Sequence, residues 1–259
     1  MKKFTKGLKG SYLALILLFL YAPITVMIAF SFNAGKSRAV WEGFSLKWYE
    51  ALFHNDQIIS ALEVTLIVAV VATAISVVLG TLGAIGIHAC KRGYASALLN
   101  LSYLPMTMPD IVTGVSLMMM FVFIKMPRGI PTMILAHVTF DTPYVLFSVL
   151  PKLRQMDPNT YEAALDLGCR PMEAVTSVII PEIKPGIITG ALLSLTMSLD
   201  DFVISYFTTD TDQNLSTLVY SAAKKGIKPD MYALSAIMFV TVLALLIVVN
   251  KRSSLENIG

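Results

Sequence analysis

The sequence predicts an all-α membrane protein with six spanning helices, and three observations lead there. Of its 259 residues, 56% are hydrophobic and only 14% are charged. Soluble domains run at roughly 45–50% apolar, glycine included, and about 25% charged. Six stretches carry no Lys or Arg: 11–32, 64–87, 98–124, 130–150, 186–207 and 231–249. They measure 19 to 27 residues and take up 135 of the 259, each suited to the ~17–25 residues, or slightly more when tilted, of a bilayer-spanning helix. A soluble enzyme, a disulfide-stapled secreted domain and a disordered chain are excluded. The longest connections, 33–63 and 151–185, are too short for a second domain, so residues 1–259 read as a single transmembrane domain.

The first span sets the orientation. Lys2, Lys3, Lys6 and Lys9 precede it, and Lys and Arg collect on the cytoplasmic side of short loops. Its 22 residues exceed the 7–15 of a signal-peptide core, and no small-residue cleavage site follows, so it reads as an uncleaved anchor. With both termini in the cytoplasm, the inner flanks hold twelve Lys and Arg and the outer flanks eight. The net charge of +3 comes mostly from these membrane-edge residues. No clustered basic face points to nucleic acid. Cys90 and Cys169 fall on the cytoplasmic side, where thiols stay reduced. With His54, His88 and His137 the only histidines, no metal-ligand spacing stands out.

Within the spans, the second carries Ala72, Ser76, Gly80 and Ala84 at steps of four, with Gly83 and Gly86 nearby. Such a stripe lets helix backbones approach closely, either inside this bundle or against a second subunit. Pro105 and Pro109 in the third span each remove a backbone donor and favour a kink or break. Interrupted membrane helices often line a cavity. No internal repeat or low-complexity segment is present.

The acids are the most informative feature. Asp110, Asp141, Asp200 and Asp201 lie within spans that hold no basic residue. An ionised Asp at mid-depth costs roughly 2.5–3.5 kcal/mol on insertion scales, which makes it a functional candidate by default. His137 and Asp141 are four residues apart, on one helix face, so Asp141 has a structural pairing open to it. Asp110 could cap the helix that follows Pro109. Asp200 and Asp201 point ~100° apart on a helix, so one of them faces a lumen and the other a neighbouring helix. Four acids and no bases favour a cationic cargo over sulfate or phosphate.

The connection between the fourth and fifth spans carries the sharpest motif. Asp157 suits an N-cap with Pro158 at the first helical position, and Gly168 suits the left-handed residue that ends a helix. A second short helix is expected from Arg170-Pro171 to Ile180, stopped by Pro181 and Pro185. Glu162-Ala163-Ala164, Gly168, Val178, Ile180 and Pro181 resemble the "EAA" loop of type I ABC importer permeases: E-A-A, three residues, G, nine residues, I-x-L-P. Val178 and Ile180 are mild departures. The resemblance extends over nearly the whole chain. Phe30-Ser31-Phe32-Asn33, Lys47-Trp48-Tyr49, Pro109-Asp110-Ile111-Val112 and Ser198-Leu199-Asp200-Asp201 are similar to the second permease subunit of spermidine/putrescine importers.

That resemblance implies the type I ABC importer permease fold, with 151–185 as a cytoplasmic coupling loop, in a plasma-membrane complex. The implied partners are a second permease subunit in a heterodimer, two ABC ATPase subunits and an extracytoplasmic substrate-binding protein. Glu162, Ala163, Ala164, Gly168 and Pro181 would couple to the ATPase. Asp110 and Asp200, with Asp201 behind them, would serve as transient partners for a polyammonium chain. Trp48 has two roles open to it, covering a cation with its ring face or anchoring at the interface. No cofactor and no catalysis are expected in this chain. Its one Gly-Lys-Ser, Gly35-Lys36-Ser37, lacks the upstream glycine of a phosphate loop, Phe30 standing there, so ATP and magnesium would belong to the partner ATPase. The competing readings are an ABC permease for another small cationic solute and a stand-alone secondary transporter, which six spans without repeats fit poorly. An intramembrane protease would need a nucleophile facing His137, and no Gly-x-Ser-Gly frames one.

Overall fold

The computed structural model describes residues 2–36, 40–226 and 229–256, with side chains from 12 to 244 within those ranges. Arg38 and Lys228, and the side chains of the flanking Lys2, Lys3, Lys6, Lys9, Lys251 and Arg252, lie outside the described residues. The described chain is helical, in the order α1 (Lys2–Ser31), α2 (Lys47–Phe53), α3 (Asp56–Ala89), α4 (Arg92–Thr107), α5 (Asp110–Phe123) and α6 (Ile130–Gln155). There follow α7 (Asn159–Asp166), α8 (Pro171–Ala174), a π-helical turn (Val175–Ile179), α9 (Ile180–Asp200), α10 (Val203–Thr208), α11 (Leu215–Lys225) and α12 (Pro229–Glu256). Four stretches are long and apolar enough to cross a membrane: Tyr12–Ser31, Asp56–Ala89, Ile130–Gln155 and Pro171–Asp200. The pair α4 and α5 qualifies together as a broken span bent by 103°, and Pro229–Ala244 is a shorter apolar helix.

Two of the expected spans are interrupted, for different reasons. In the third, Pro109 lacks the N–H that would continue α4, and the helix restarts at Asp110. The fifth was expected to run unbroken over 186–207, yet α9 ends at Asp200 and the chain restarts as α10 after Asp201 and Phe202. No proline or glycine causes this second break. A set of buried side chains fixes it.

The loop helices also differ from expectation in one respect. Pro181 and Pro185 do not stop the second of them: α8, the π turn and α9 run on as one stretch from Pro171 to Asp200. A proline ring clashes with the carbonyl four residues back in an α-helix. The wider π turn at Val175–Ile179 contains Ser177, the residue four before Pro181, and gives that ring room, while Pro185 sits inside α9 without ending it.

The chain groups into two compact units, Ser60–Leu218 and the pair Met1–Ile59 with Val219–Gly259. In the first, small residues let three helices approach. A Cβ on Gly80 of α3 would stand 2.7 Å from the Val145 Cβ and 2.9 Å from the Thr142 carbonyl of α6. One on Gly190 of α9 would stand 2.9 Å from the Val145 Cα, and one on Gly186 2.9 Å from the Ser148 carbonyl. Ala72, Ser76 and Ala84 are fully buried, so the stripe of the second span packs within this unit. The apolar half of the interface gathers Ala84, Val145, Leu146, Val149, Leu150, Leu153, Ile179 and Ile183.

In the second unit the two segments Phe30–Asn33 and Lys47–Tyr49 fold onto each other. Asn33, 1% exposed, donates from Nδ2 to the Val40 carbonyl at 2.8 Å and accepts the Glu42 N–H on Oδ1 at 2.8 Å. Its carbonyl accepts the Trp48 indole N–H at 2.7 Å, and Ser31 Oγ lies 2.7 Å from the Tyr49 hydroxyl. Asn55 Nδ2 donates to Asp230 at 3.3 Å.

Candidate functional site

The four acids of the expected spans end up in three different states. Asp110 is the first residue of α5, and it is exposed; the Val112 and Thr113 N–H groups bond to the Pro109 carbonyl. It lies within electrostatic reach of Tyr144 of α6, as does Asp141. Asp200 is the last residue of α9 and also exposed. Asp201, beside it, turns inward with its side chain 8% exposed. Asp141 is completely buried, and both of its carboxylate oxygens lack a hydrogen-bond partner.

The expected pairing of His137 with Asp141 is not made. Both ring nitrogens of the buried His137 are taken elsewhere: Nδ1 lies 2.5 Å from Ser198 Oγ, and Nε2 lies 2.9 Å from Ser205 Oγ and 3.4 Å from Asp201 Oδ2. Helical spacing put His137 and Asp141 on one face, but each turns to the opposing segment, His137 to Ser198 and Ser205 and Asp141 toward Ser194. Ser194, 0% exposed, is the polar neighbour of Asp141 in a geometry short of a standard hydrogen bond, and it bonds to Thr73 Oγ1 at 3.3 Å.

Asp201 explains how the chain breaks between α9 and α10. A helix interrupted in lipid frees backbone groups that water cannot reach, each costly unless bonded. Asp201 closes α9 through its own N–H to the Met197 carbonyl at 3.1 Å. Its carboxylate caps α10, accepting the Ile204 N–H at 3.2 Å and the Ser205 N–H at 2.7 Å. Its carbonyl accepts from Asn214 Nδ2 at 3.2 Å, and that amide also donates to Ser205 Oγ at 2.8 Å. Three groups of one residue are thus satisfied at the break. Sequence reading singled out Asp201 but missed Ser198, Ser205 and Asn214. The one signal available was Gly186, Gly190, Ser194 and Ser198 recurring at steps of four, a small-residue face continuing into hydroxyls.

Around the loop motif, Asp157 Oδ1 accepts the Asn159 N–H at 2.9 Å, as an N-cap would. Gly168 has φ +94°. The Gly168 N–H bonds to the Leu165 carbonyl at 2.9 Å and the Cys169 N–H to the Ala164 carbonyl at 3.1 Å, which is the Schellman pairing that ends α7. Ala164 is buried and Tyr161 packs on the apolar cluster below, while Glu162 and Ala163 are exposed. Leu167 and Met172, 88% and 75% exposed, flank the Gly168 turn. Pro181 is exposed at the start of α9. Trp48 is half-buried, and the Lys47 ammonium stands 4.7 Å from its ring centroid. No group of three or more His, Cys, Asp or Glu suited to a metal occurs among the described residues.

The family model for the inner membrane component of binding-protein-dependent transport systems matches residues 89–251. The chain belongs to that family. The permease is 34% identical to the spermidine/putrescine transport system permease protein PotC of Haemophilus influenzae, over 93% of this chain and 94% of that one. It is 37% identical to the putrescine transport system permease protein PotI of Escherichia coli, over 85% of this chain and 81% of that one. It is therefore homologous to polyamine ABC importer permeases, transport subunits of the membrane. Its fold matches a crystal structure of a bacterial ABC transporter that imports the acidic polysaccharide alginate, with a TM-score of 0.67 at 19% identity, over 97% of this chain and 98% of that one. The expected type I ABC importer permease fold is the one observed.

Proposed function

We propose that this permease is one of two different transmembrane subunits of an ATP-driven importer of polyamines such as spermidine and putrescine. Homology to PotC and PotI supports the cargo class. The observation that carries the reading to particular residues is that Asp110 and Asp200 are exposed at the two helix breaks, in spans without a single Lys or Arg. An alginate importer shares the fold and carries an anion, so the cargo is a property of side chains and not of architecture.

In this reading six spans cross the plasma membrane, both termini are cytoplasmic, and residues 1–259 act as one permease domain. A substrate-binding protein delivers the cargo from outside. Two ATPase subunits bind ATP and magnesium, the chain itself holding no cofactor. The α7–α8 loop docks on one of them through Glu162, Ala163 and the turn at Gly168. Ala164 and Tyr161 anchor that loop to the bundle, and Pro181 with the π turn joins it to α9, so movement of the loop reaches Asp200 along one helix. Leu167 and Met172 extend the docking surface, since large exposed apolar side chains in a loop otherwise face water. Asp110 and Asp200 meet successive ammonium groups of the cargo. Exposed carboxylates bind weakly, which lets the cargo leave again. Asp201 serves the pathway by holding the break, and Trp48 by holding the outer connector, its ring face already covering the Lys47 ammonium.

The test is Glu162→Lys in the complete complex in proteoliposomes. Reversing that charge at the docking helix is expected to abolish ATP-driven uptake of labelled putrescine and weaken copurification of the ATPase. Normal copurification with normal uptake would reduce the loop to a connector. Uptake that persists without ATP would point to secondary transport.

A further inference from the structure

Adjacent acids on a helix compete for the same role, and something must decide which one faces the pathway. We infer that His137 is that positioning residue: by clamping Ser198, Asp201 and Ser205 across the α9–α10 break, it holds Asp201 inward and thereby presents Asp200. This rests on the proposed role of Asp200 and adds a residue outside the pathway on which that role depends.

The geometry is one ring bridging two helix ends. Ser198 lies in the last turn of α9, Ser205 in the first turn of α10, and the imidazole joins them at 2.5 and 2.9 Å. His137, Ser198 and Ser205 are 0%, 2% and 0% exposed, so water cannot substitute for any of these bonds. The ring itself is fixed: it projects from α6, whose backbone contacts α9 through Gly186 and Gly190, and it packs against Phe140 with centroids 5.1 Å apart. With Asp201 held at 3.4 Å and its carboxylate committed to the α10 cap, residue 200 has one direction left, outward from the bundle. Removing the ring leaves Ser198, Ser205 and Asp201 buried with lost partners. The least costly response is for the break to loosen and residue 200 to turn from its outward direction, because only the Asn214 amide then still ties Asp201 and Ser205 to a residue outside the break.

The test reads residue 200 directly. In the complete complex, with Cys90 and Cys169, the free thiols, replaced by Ser, Asp200→Cys is labelled with a small cationic thiosulfonate. His137→Leu is expected to slow labelling about fivefold, what one buried hydrogen bond is worth, and His137→Gln, which keeps a donor and an acceptor, to restore much of the original rate. Should His137→Leu fail to assemble, Ser205→Ala removes the Nε2 partner while leaving the ring, and the same slowing is expected. Separately, with Asp200 intact, His137→Leu is expected to raise KM for putrescine uptake. Labelling at the original rate or faster overturns the clamp, whatever uptake does. Slower labelling with unchanged KM leaves the clamp standing and removes Asp200 from the pathway.

Discussion

His137 Nε2 lies 3.4 Å from Asp201 Oδ2, and this contact separates two neighbouring carboxylates of identical chemistry. The same Asp201 caps α10 through two backbone N–H groups, so its acid is part of the scaffold, whereas Asp200 one residue earlier is exposed. The difference is measurable by stability. Asp201→Ala leaves the Ile204 and Ser205 N–H groups unpaired in a site water does not reach, a cost of about 1–3 kcal/mol per group. The melting temperature of the detergent-solubilised protein should fall clearly for Asp201→Ala and stay put for Asp200→Ala.

Asp141→Asn should behave in the opposite way. Its carboxyl group is buried with neither oxygen in a standard hydrogen bond, and an unsatisfied buried polar group costs about 1–3 kcal/mol. Replacing it with an isosteric neutral amide should leave the melting temperature unchanged or raise it. A pronounced fall would mean that the acid has a partner in the assembled complex.

Two glycines of α3 provide a matched pair. Gly80→Ala puts a Cβ 2.7 Å from the Val145 Cβ and 2.9 Å from the Thr142 carbonyl, where backbone must move, and overpacking of that kind costs about 1–3 kcal/mol. Gly86→Ala meets nothing within 4 Å and gains about 0.5–1 kcal/mol of helix propensity. Thermal unfolding of the two variants should shift in opposite directions.

Gly168→Ala tests the loop turn. A left-handed φ of +94° costs an L-residue about 1–2 kcal/mol, concentrated between α7 and α8. Local hydrogen exchange over 159–174 should rise, and ATP-driven uptake should fall while the apolar cluster of α6 and α9 keeps its protection.

What was legible in the sequence followed from local rules. The α7 start at Asp157 and its end at Gly168 were readable because an N-cap and a left-handed glycine are written in single residues. The break at Pro109 was readable because proline carries its own reason to stop a helix. The break at Asp201 was not: it is held by His137 and Asn214, 64 residues before and 13 after, and no local pattern announces such a partnership. The His137–Asp141 pairing failed for the same reason, since spacing on one helix says which residues share a face but not what packs against it. Pro181 misled because a π turn, which has no sequence signature of its own, surrounds the carbonyl four residues before it, and Pro185 misled because α9 continues through it. The acids themselves stood out at once, because their cost in lipid depends only on where the apolar stretches lie.

The most direct measurement is ATP-driven uptake of labelled putrescine by the complete complex in proteoliposomes, comparing the unaltered chain with Asp110→Asn and Asp200→Asn. A lost charge partner at an exposed site is worth up to about 1 kcal/mol, so each variant should raise KM by up to roughly fivefold while the complex still assembles. Uptake unchanged in both variants would contradict the assignment of a cationic cargo to these carboxylates.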